Sequence, residues 1–390
     1  MMKIDMVENS LGLYIHIPFC ENKCKYCDFL SFEGEPIDRI KDYVKLLTME
    51  ISENGKIFRD SHYIDSVFIG GGSPSLLEGE DIDRILKAVK GSFLTSRKAE
   101  ITIEANPNSF NEKKAEVWLK NGVNRLSLGV QSFDENTLKL LGRIHSPGTA
   151  ETVYKQARFM GFDNINLDLM FGIPGQATKT YIESLKRALN LGPEHLSFYS
   201  LQLEPGTPMY IDYIHEKLPE ICEPEIQKAY YKGLDILEKN GYVHYEISNA
   251  SLEGFQCEHN LKYWDFMEYM GVGLGASSFI LGERGKNVSD FSIYKENLLN
   301  EEGVLETREL PTKKDAIGTF MFTGLRTLKG IDFEEFKDVF EEDFFKVYKE
   351  KKEFIDNQVI EGNIKIDDRG MRITKKGIFN SNSIMSEFIL

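Results

Sequence analysis

Residues 14–29 read YIHIPFCENKCKYCDF, which places Cys20, Cys24 and Cys27 in a C-x3-C-x2-C run directly after a short apolar stretch, residues 13–17. The alternation in that stretch predicts a strand, so the three thiols belong to the loop at its C-terminal end. Three thiolates on one short loop can face a single point, which makes a metal site with three protein ligands and an open fourth position. A closed structural zinc site wants four ligands in paired Cys or Cys/His spacings, and no second pair at such a spacing occurs here. Most iron–sulfur clusters take four cysteines, so three argue for a [4Fe–4S] cube with one iron kept for something exchangeable. Three unconnected, inert cysteines are the bland alternative, and the spacing disfavours it.

Outward from the loop, β-rich runs alternate with amphipathic helical patterns. Strands are predicted at residues 13–17, 64–69, 100–104, 125–130, 164–171 and 196–203, with helical stretches at about 40–51, 81–89, 113–121, 135–141, 150–160 and 181–191. Parallel strands need helical crossovers, so six such β/α units predict an α/β fold, an open partial (β/α)6 barrel over residues 12 to about 205. Chemistry in such folds gathers at the C-terminal ends of the strands. There stand the cysteine loop, the run Gly70-Gly71-Gly72-Ser73-Pro74, Glu104, Gln131 and Asp168. The glycine run is either a tight turn or backbone that can grip the ammonium and carboxylate of an amino acid. Glu104 is either a surface carboxylate or a ligand for a sugar hydroxyl. Gln131 and Asp168 lie among apolar neighbours and need partners, in the protein or in a ligand.

Composition narrows the classes. The chain has 390 residues and a net charge of −15, which disfavours nucleic acid as a partner because phosphate binding wants clustered Lys and Arg. No apolar run approaches the length of a membrane span, leaving only peripheral contact with a bilayer open. Residues 1–10 are polar and acidic, unlike a signal peptide. Three of the five cysteines share one loop and Cys222 and Cys257 are remote, so no disulfide framework is expected and a reducing cytosol fits.

The C-x3-C-x2-C run, with Tyr26 before its last cysteine, resembles the signature of the radical S-adenosylmethionine (SAM) proteins. That resemblance implies that the open iron chelates the amino and carboxylate groups of SAM and that the reduced cluster cleaves SAM to a 5'-deoxyadenosyl radical. YIHIPFC, GGGSPS, IEANP, LSLGVQSFD, LGRIH, NLDLMFGIPGQ and SFYSLQLEPGTP together resemble the oxygen-independent coproporphyrinogen III oxidase group, and within it the haem-chaperone branch, over nearly the whole chain. The resemblance implies cluster ligation by Cys20, Cys24 and Cys27. It implies SAM contacts from Tyr14, Tyr26, Gly71, Gly72, Ser73, Glu104, Gln131, Arg143 and Asp168. Two departures set the chain apart from the oxidase itself: Phe29 stands where the oxidase motif has a fourth cysteine, and about a dozen residues precede the first strand in place of a long N-terminal arm. Both put porphyrinogen decarboxylation in doubt, and both are features of the haem-chaperone branch.

The second half carries a different kind of signal. A helical pattern at 226–240 and a run at 242–247 lead to CEHNLKYW, residues 257–264. His259 offers an imidazole for haem iron, Cys257 a thiolate, and Tyr263 and Trp264 flat aromatics; the competing reading is a histidine hydrogen-bonded within a packed loop. The HN-x-x-YW segment belongs to the branch's pattern, which implies haem ligation by His259. GVGLGA, residues 271–276, lacks the βαβ context of a dinucleotide fingerprint and is expected near the SAM or the barrel rim. Residues 301–313 read as a connector. Beyond them come helices at 316–325 and 333–340, a longer helix at 344–359, a hairpin at 364–374 and a final helix at 375–388, an α+β unit resembling a winged helix. The acidic stretch 332–343 turns that unit from DNA toward a lid or partner surface.

The predicted organisation is a barrel over residues 1–205, a barrel extension with the haem-binding region over 206–310, and a C-terminal domain over 311–390. The predicted function is a cytosolic haem chaperone that holds a [4Fe–4S] cluster, SAM and haem and passes haem to an acceptor protein. The rival is a radical enzyme acting on a tetrapyrrole. A zinc-bound interaction module is the third reading.

Overall fold

The computed structural model describes residues 9–390; residues 1–8, most of the polar N-terminal stretch, lie outside the described residues. Alternate residues of the first strand, β1 (Asn9–Ile17), separate the two layers of the fold. Leu11, Leu13, Ile15 and Ile17 are fully buried in one core with Tyr43, Val44, Leu47 and Ile51 of α1 (Ile37–Phe58). Gly12, Tyr14 and His16 face the barrel interior. The pattern repeats through β2 (His62–Gly71), β3 (Leu94–Ala105), β4 (Arg125–Gln131), β5 (Ile165–Phe171) and β6 (His195–Ser200), each parallel to the one before. The crossovers are α1, α2 (Gly79–Ser92), α3 (Glu112–Lys120), α4 (Glu135–Leu141) with α5 (Pro147–Met160), and α6 (Thr178–Leu191). Asn111, Asp134 and Ser146 cap the starts of α3, α4 and α5 with their side chains, and Gly142, Gly161 and Gly192 close α4, α5 and α6 in the left-handed region. All six expected units are present, with the first three strands longer than expected and the sixth ending three residues earlier.

The sheet does not stop at six strands. On one side β7 (Val243–Glu246) and β8 (Asn249–Ser251) extend it from β6 in antiparallel fashion. On the other, β9 (Tyr269–Val272) pairs parallel with β1, and β10 (Ser277–Ile280), β11 (Glu283–Asn287) and β12 (Leu305–Glu309) continue outward, making twelve strands. The segment expected as a plain connector thus contributes β12, an exposed edge strand. The glycine-rich run leaves β9 at the end of the sheet where the cysteine loop leaves β1, close to His16 and Leu30, and Gly273 donates its N–H to the buried Glu50 of α1 at 2.8 Å, and Leu274 to Tyr43.

Between β8 and β9 a short helix, α7 (Glu258–Trp264), enters the floor of the barrel. Its entry depends on Gly12, where a Cβ would lie 2.7 Å from Lys262 Cδ and 3.2 Å from His259 Cε1. No helix among the described residues is long and apolar enough to cross a membrane.

The C-terminal unit follows a capping box at Thr312 and Asp315, with a three-stranded antiparallel sheet of Ile331–Asp332, Gly370–Ile373 and Ile364–Ile366 among short helices. The expected long helix at 344–359 is broken into Phe344–Val347, a 3-10 turn Lys349–Lys351 and Lys352–Ile360. The break falls at Tyr348, whose ring packs on Phe344 and Phe388 and whose hydroxyl donates to the Phe388 carbonyl at 2.7 Å. Docking that side chain outweighs the one helical turn lost. The final helix is likewise shorter than expected, Ser381–Ser386, and is preceded by a 3-10 turn, Ile378–Asn380.

Candidate cluster and cofactor site

The loop after β1 and the glycine run after β2 are joined by backbone. Gly72 and Ser73 donate their N–H groups to the Ile17 and Phe19 carbonyls, both at 2.8 Å, and Gly71 donates to Glu104 Oε2 at 3.1 Å. These three N–H groups are therefore bonded within the fold, and the carbonyls of the run are not engaged by these bonds. Glycine is nonetheless required, since Gly71 has φ +115 with His16 where its Cβ would stand, and a Cβ on Gly72 would lie 2.7 Å from the Phe19 carbonyl and 3.0 Å from Cys20 Sγ.

This zipper brings the three cysteines over a cavity of about 420 Å³ at the C-terminal ends of the strands. Cys20, Cys24, Cys27, Tyr26, Gly71, Gly72, Ser73, Glu104, Gln131, Arg143 and Asp168 all line it. Arg143, just past the end of α4, donates Nη1 to Cys24 Sγ at 3.4 Å and Nη2 to the Gly129 carbonyl at 2.5 Å. Ser73 Oγ lies 3.9 Å from Cys20 Sγ. Both are donors suited to a thiolate sulfur. Burial pushes the free Cys27 thiol up to about 11, so the protein alone does not hold it as a thiolate; a bound metal would. Among the described residues no three His, Cys, Asp or Glu side chains converge around one ion. A cube, which gives each thiolate its own iron, needs no such convergence.

The carboxylates sit deeper. Burial, then the neighbouring Asp168, raises Glu104 to about 8. Burial also raises Asp168, whose Oδ1 accepts from Asn166 Nδ2 at 2.7 Å. Gln131 adopts φ +64 at the end of β4 and accepts from the Tyr199 hydroxyl at 2.8 Å. A non-glycine residue held there marks a backbone fixed by its surroundings. Tyr14 is the exception among the expected contacts: it lies below the cavity, bonded through its hydroxyl to His16 Nδ1 at 2.8 Å and stacked on Phe68. Arg125, Ser127, Asn166, Ser197 and Asn249 also line the cavity and were not picked out from sequence. For all but Asn249, which lies on β8, the signal was the inward alternation of β4, β5 and β6, which carries polar groups along the strands and not only at their ends. Arg125 is 2 % exposed with Nε unpartnered.

Comparison with known proteins follows this geometry. Residues 14–188 match the Radical SAM superfamily and residues 312–379 the HemN C-terminal domain. The chain is 34 % identical over 387 residues to the haem chaperone HemW of Lactococcus lactis, covering 99 % of both chains. The chain belongs to the haem chaperone HemW family. The HemW of Escherichia coli is 37 % identical over 313 residues, 79 % of each chain. In fold, this HemW family member is similar to the coproporphyrinogen III oxidase HemN of Escherichia coli, with a TM-score of 0.85 at 23 % identity, covering 98 % of this chain and 90 % of that one. Radical SAM membership implies a [4Fe–4S] cluster and SAM, and the cavity's donor set fits both.

The segment that carried the haem expectation for this HemW family member forms the barrel floor, and its Asn260 lines the same cavity. His259 is fully buried in the barrel floor, with Nδ1 bonded to Ser66 Oγ at 3.0 Å, Nε2 to the Tyr263 hydroxyl at 2.9 Å, and its ring stacked on Phe68. Burial, then Lys262 and Arg125, lowers it to about 3. As folded, the ring has no free nitrogen for iron. Cys257 is also fully buried; burial pushes its thiol up, and its S–H donates to Glu100 Oε1 at 3.4 Å, so it offers no thiolate. Tyr263 packs on His259 and Tyr269, and Trp264 lies under Arg326. The packed-loop reading describes this segment.

Proposed function

We propose that this chain holds a [4Fe–4S] cluster through Cys20, Cys24 and Cys27, binds SAM beside it, and carries haem to an acceptor protein in a reducing cytosol. The observation that carries the reading is kinship over nearly the full length with proteins named haem chaperones. When bound, the cluster supplies an electron and an open iron at which SAM chelates. The chain's own residues do the rest. Arg143 and Ser73 donate toward cysteine sulfur, and Glu104, Asp168 and Gln131 present acceptors for the hydroxyls and amino groups of a nucleoside. Tyr26 and Phe29 border the cavity beside Cys27. Phe29, 63 % exposed, stands at the rim where the oxidase motif carries a further cysteine, which supports a carrier over a decarboxylase.

Anaerobic haemin titration of the cluster-loaded protein, followed by visible absorption, tests the proposal. Saturation near one haem per chain is expected; the absence of saturable binding would overturn it. The radical-enzyme reading keeps one supporting observation, the set of polar groups still gathered around the cluster loop. Formation of 5'-deoxyadenosine dependent on an added tetrapyrrole would favour it.

A further inference from the structure

Two cavities adjoin beneath the cysteine loop. Beside the cluster cavity lies a second, of about 560 Å³, between the barrel mouth and the C-terminal domain, and Tyr26, Cys27, Phe29, Tyr199 and Ser248 line both. Four cations border this joined space: Lys23, Arg125, Arg143 and Arg326. The protein engages three of them. Lys23 donates Nζ to the Phe29 carbonyl at 3.1 Å, Arg143 donates to Cys24 and Gly129, and Arg326 lies 4.4 Å over the Trp264 ring with Nη2 3.8 Å from Glu246 Oε2. Arg125 has no side-chain hydrogen bond and no ion pair among the described residues, although it is 2 % exposed and its Nε is fully enclosed. We propose that Arg125 is the seat of a ligand's propionate-type carboxylate. Assigning that carboxylate to haem rests on the haem-chaperone reading above.

The neighbouring carboxylates leave Arg125 unanswered. Glu100 has both oxygens committed to the start of α7: Oε1 accepts from Cys257 Sγ at 3.4 Å and from the His259 N–H at 3.2 Å, and Oε2 from the Glu258 N–H at 3.1 Å. Asp168 Oδ1 accepts from Asn166. Glu104, raised to about 8 by burial and then by Asp168, is mostly protonated near neutral pH and offsets little of a guanidinium's charge. A buried guanidinium with unused donors is costly, and a carboxylate is the group its planar fork matches. Position decides whose carboxylate it is. Arg125 opens β4 at the level of Thr102, Phe68 and Tyr14 on the neighbouring strands, six residues, or about 20 Å of extended chain, before Gln131 at the mouth. SAM has one carboxylate, which the cluster reading places on the open iron, so the anion at Arg125 belongs to another molecule. Asn260 of α7 lines the same cavity, and the charge of Arg125 reaches both Cys257 and His259. A propionate on Arg125 therefore ties haem to the barrel beside the HN-x-x-YW helix, whichever group ligates the iron.

The test uses the cluster-loaded full chain and two kinds of probe. Haemin is compared with haemin dimethyl ester, which keeps the ring and loses the propionate charges. The wild type is expected to prefer haemin by about tenfold, and Arg125→Gln to lose that preference by weakening haemin alone. Sodium propionate, measured against sodium chloride, is expected to raise the melting temperature of the haem-free wild type and not that of Arg125→Gln. Arg125→Lys keeps the charge and loses the fork; it stands in where the glutamine variant does not fold, and is expected to show a reduced preference and a reduced shift. Stabilisation by propionate without discrimination between haemin and its ester would keep the carboxylate seat, assign it to a separate small organic acid and overturn the haem assignment. Equal weakening of haemin and ester in the variants, or no response to either probe that depends on Arg125, would overturn the seat itself while leaving the chaperone reading intact. Failure of the wild type to bind haemin would remove the chaperone reading, and the propionate arm would still decide the seat.

Discussion

At the mouth of the barrel, Arg143 Nε is buried without a partner and Glu104 has one backbone N–H for its buried carboxylate. At the floor, His259 has a partner on each ring nitrogen, Cys257 donates to Glu100, and Lys262 reaches Asp65 at 2.7 Å and Ser10 at 3.2 Å. Both regions are rich in residues able to bind metals or macrocycles. What separates these particular groups is satisfaction: the protein completes His259 and Cys257, and it leaves Arg143 Nε without a partner. The floor's residue types suggested a haem site, and its hydrogen bonds make it a plug.

The largest expected effect pits a cysteine of each region against the other. Cys24→Ala should abolish cluster iron and the brown absorbance, whereas Cys257→Ala should leave both unchanged; loss of cluster in both would put the two regions in one site. Next, His259→Ala should destabilise the fold by about 2–4 kcal/mol in urea titrations, since it leaves Ser66 and Tyr263 unpartnered and opens a cavity. Haem affinity of the folded protein should not change. A collapse of haem affinity at undiminished stability would turn the plug back into a ligand site.

Titration of the cluster-free protein sharpens the contrast, because the two regions respond to pH in opposite directions. Glu104 has its folded pKa raised to about 8 from 4.5. Its contribution to stability is complete below the unfolded value and is lost as pH rises through about 8, so Glu104→Gln should raise the melting temperature most on the alkaline side, by an amount worth about 1–3 kcal/mol. His259 is depressed to about 3 from 6.5. Its contribution is complete above the unfolded value and is lost as pH falls toward about 3. A melting curve of Glu104→Gln parallel to wild type from about pH 5 to 9 would mean that the mouth carboxylate is already satisfied. The smallest effect belongs to Tyr14→Phe, about 0.5–1.5 kcal/mol for its bond to His16, with SAM affinity unchanged. A tenfold loss of SAM affinity would place Tyr14 at the ligand after all.

Much of the mouth was legible because strand periodicity and short-range spacing act locally. Cys20, Cys24 and Cys27 share a loop, and Glu104, Gln131 and Asp168 occupy strand ends that a parallel sheet brings to one side. Arg143 was legible only through its motif, since a charge after a short helix gives no local sign that it will be buried against Cys24. Arg125 and Asn166 were passed over although their inward alternation was present in the strands. The break at Tyr348 was hidden because a continuous amphipathic pattern cannot register a long-range bond to Phe388.

By itself the sequence determined the six β/α units, the order of the crossovers and the three-cysteine loop, because hydrophobic alternation and ligand spacing are written along the chain. Tertiary structure alone decided that residues after 240 return to both edges of the same sheet and that α7 closes its floor. It decided, too, that Arg326 faces a cavity without a hydrogen-bond partner. Whether a polar group is satisfied depends on neighbours from distant segments. Residue type names the chemistry a side chain can do, and packing decides whether it is free to do it.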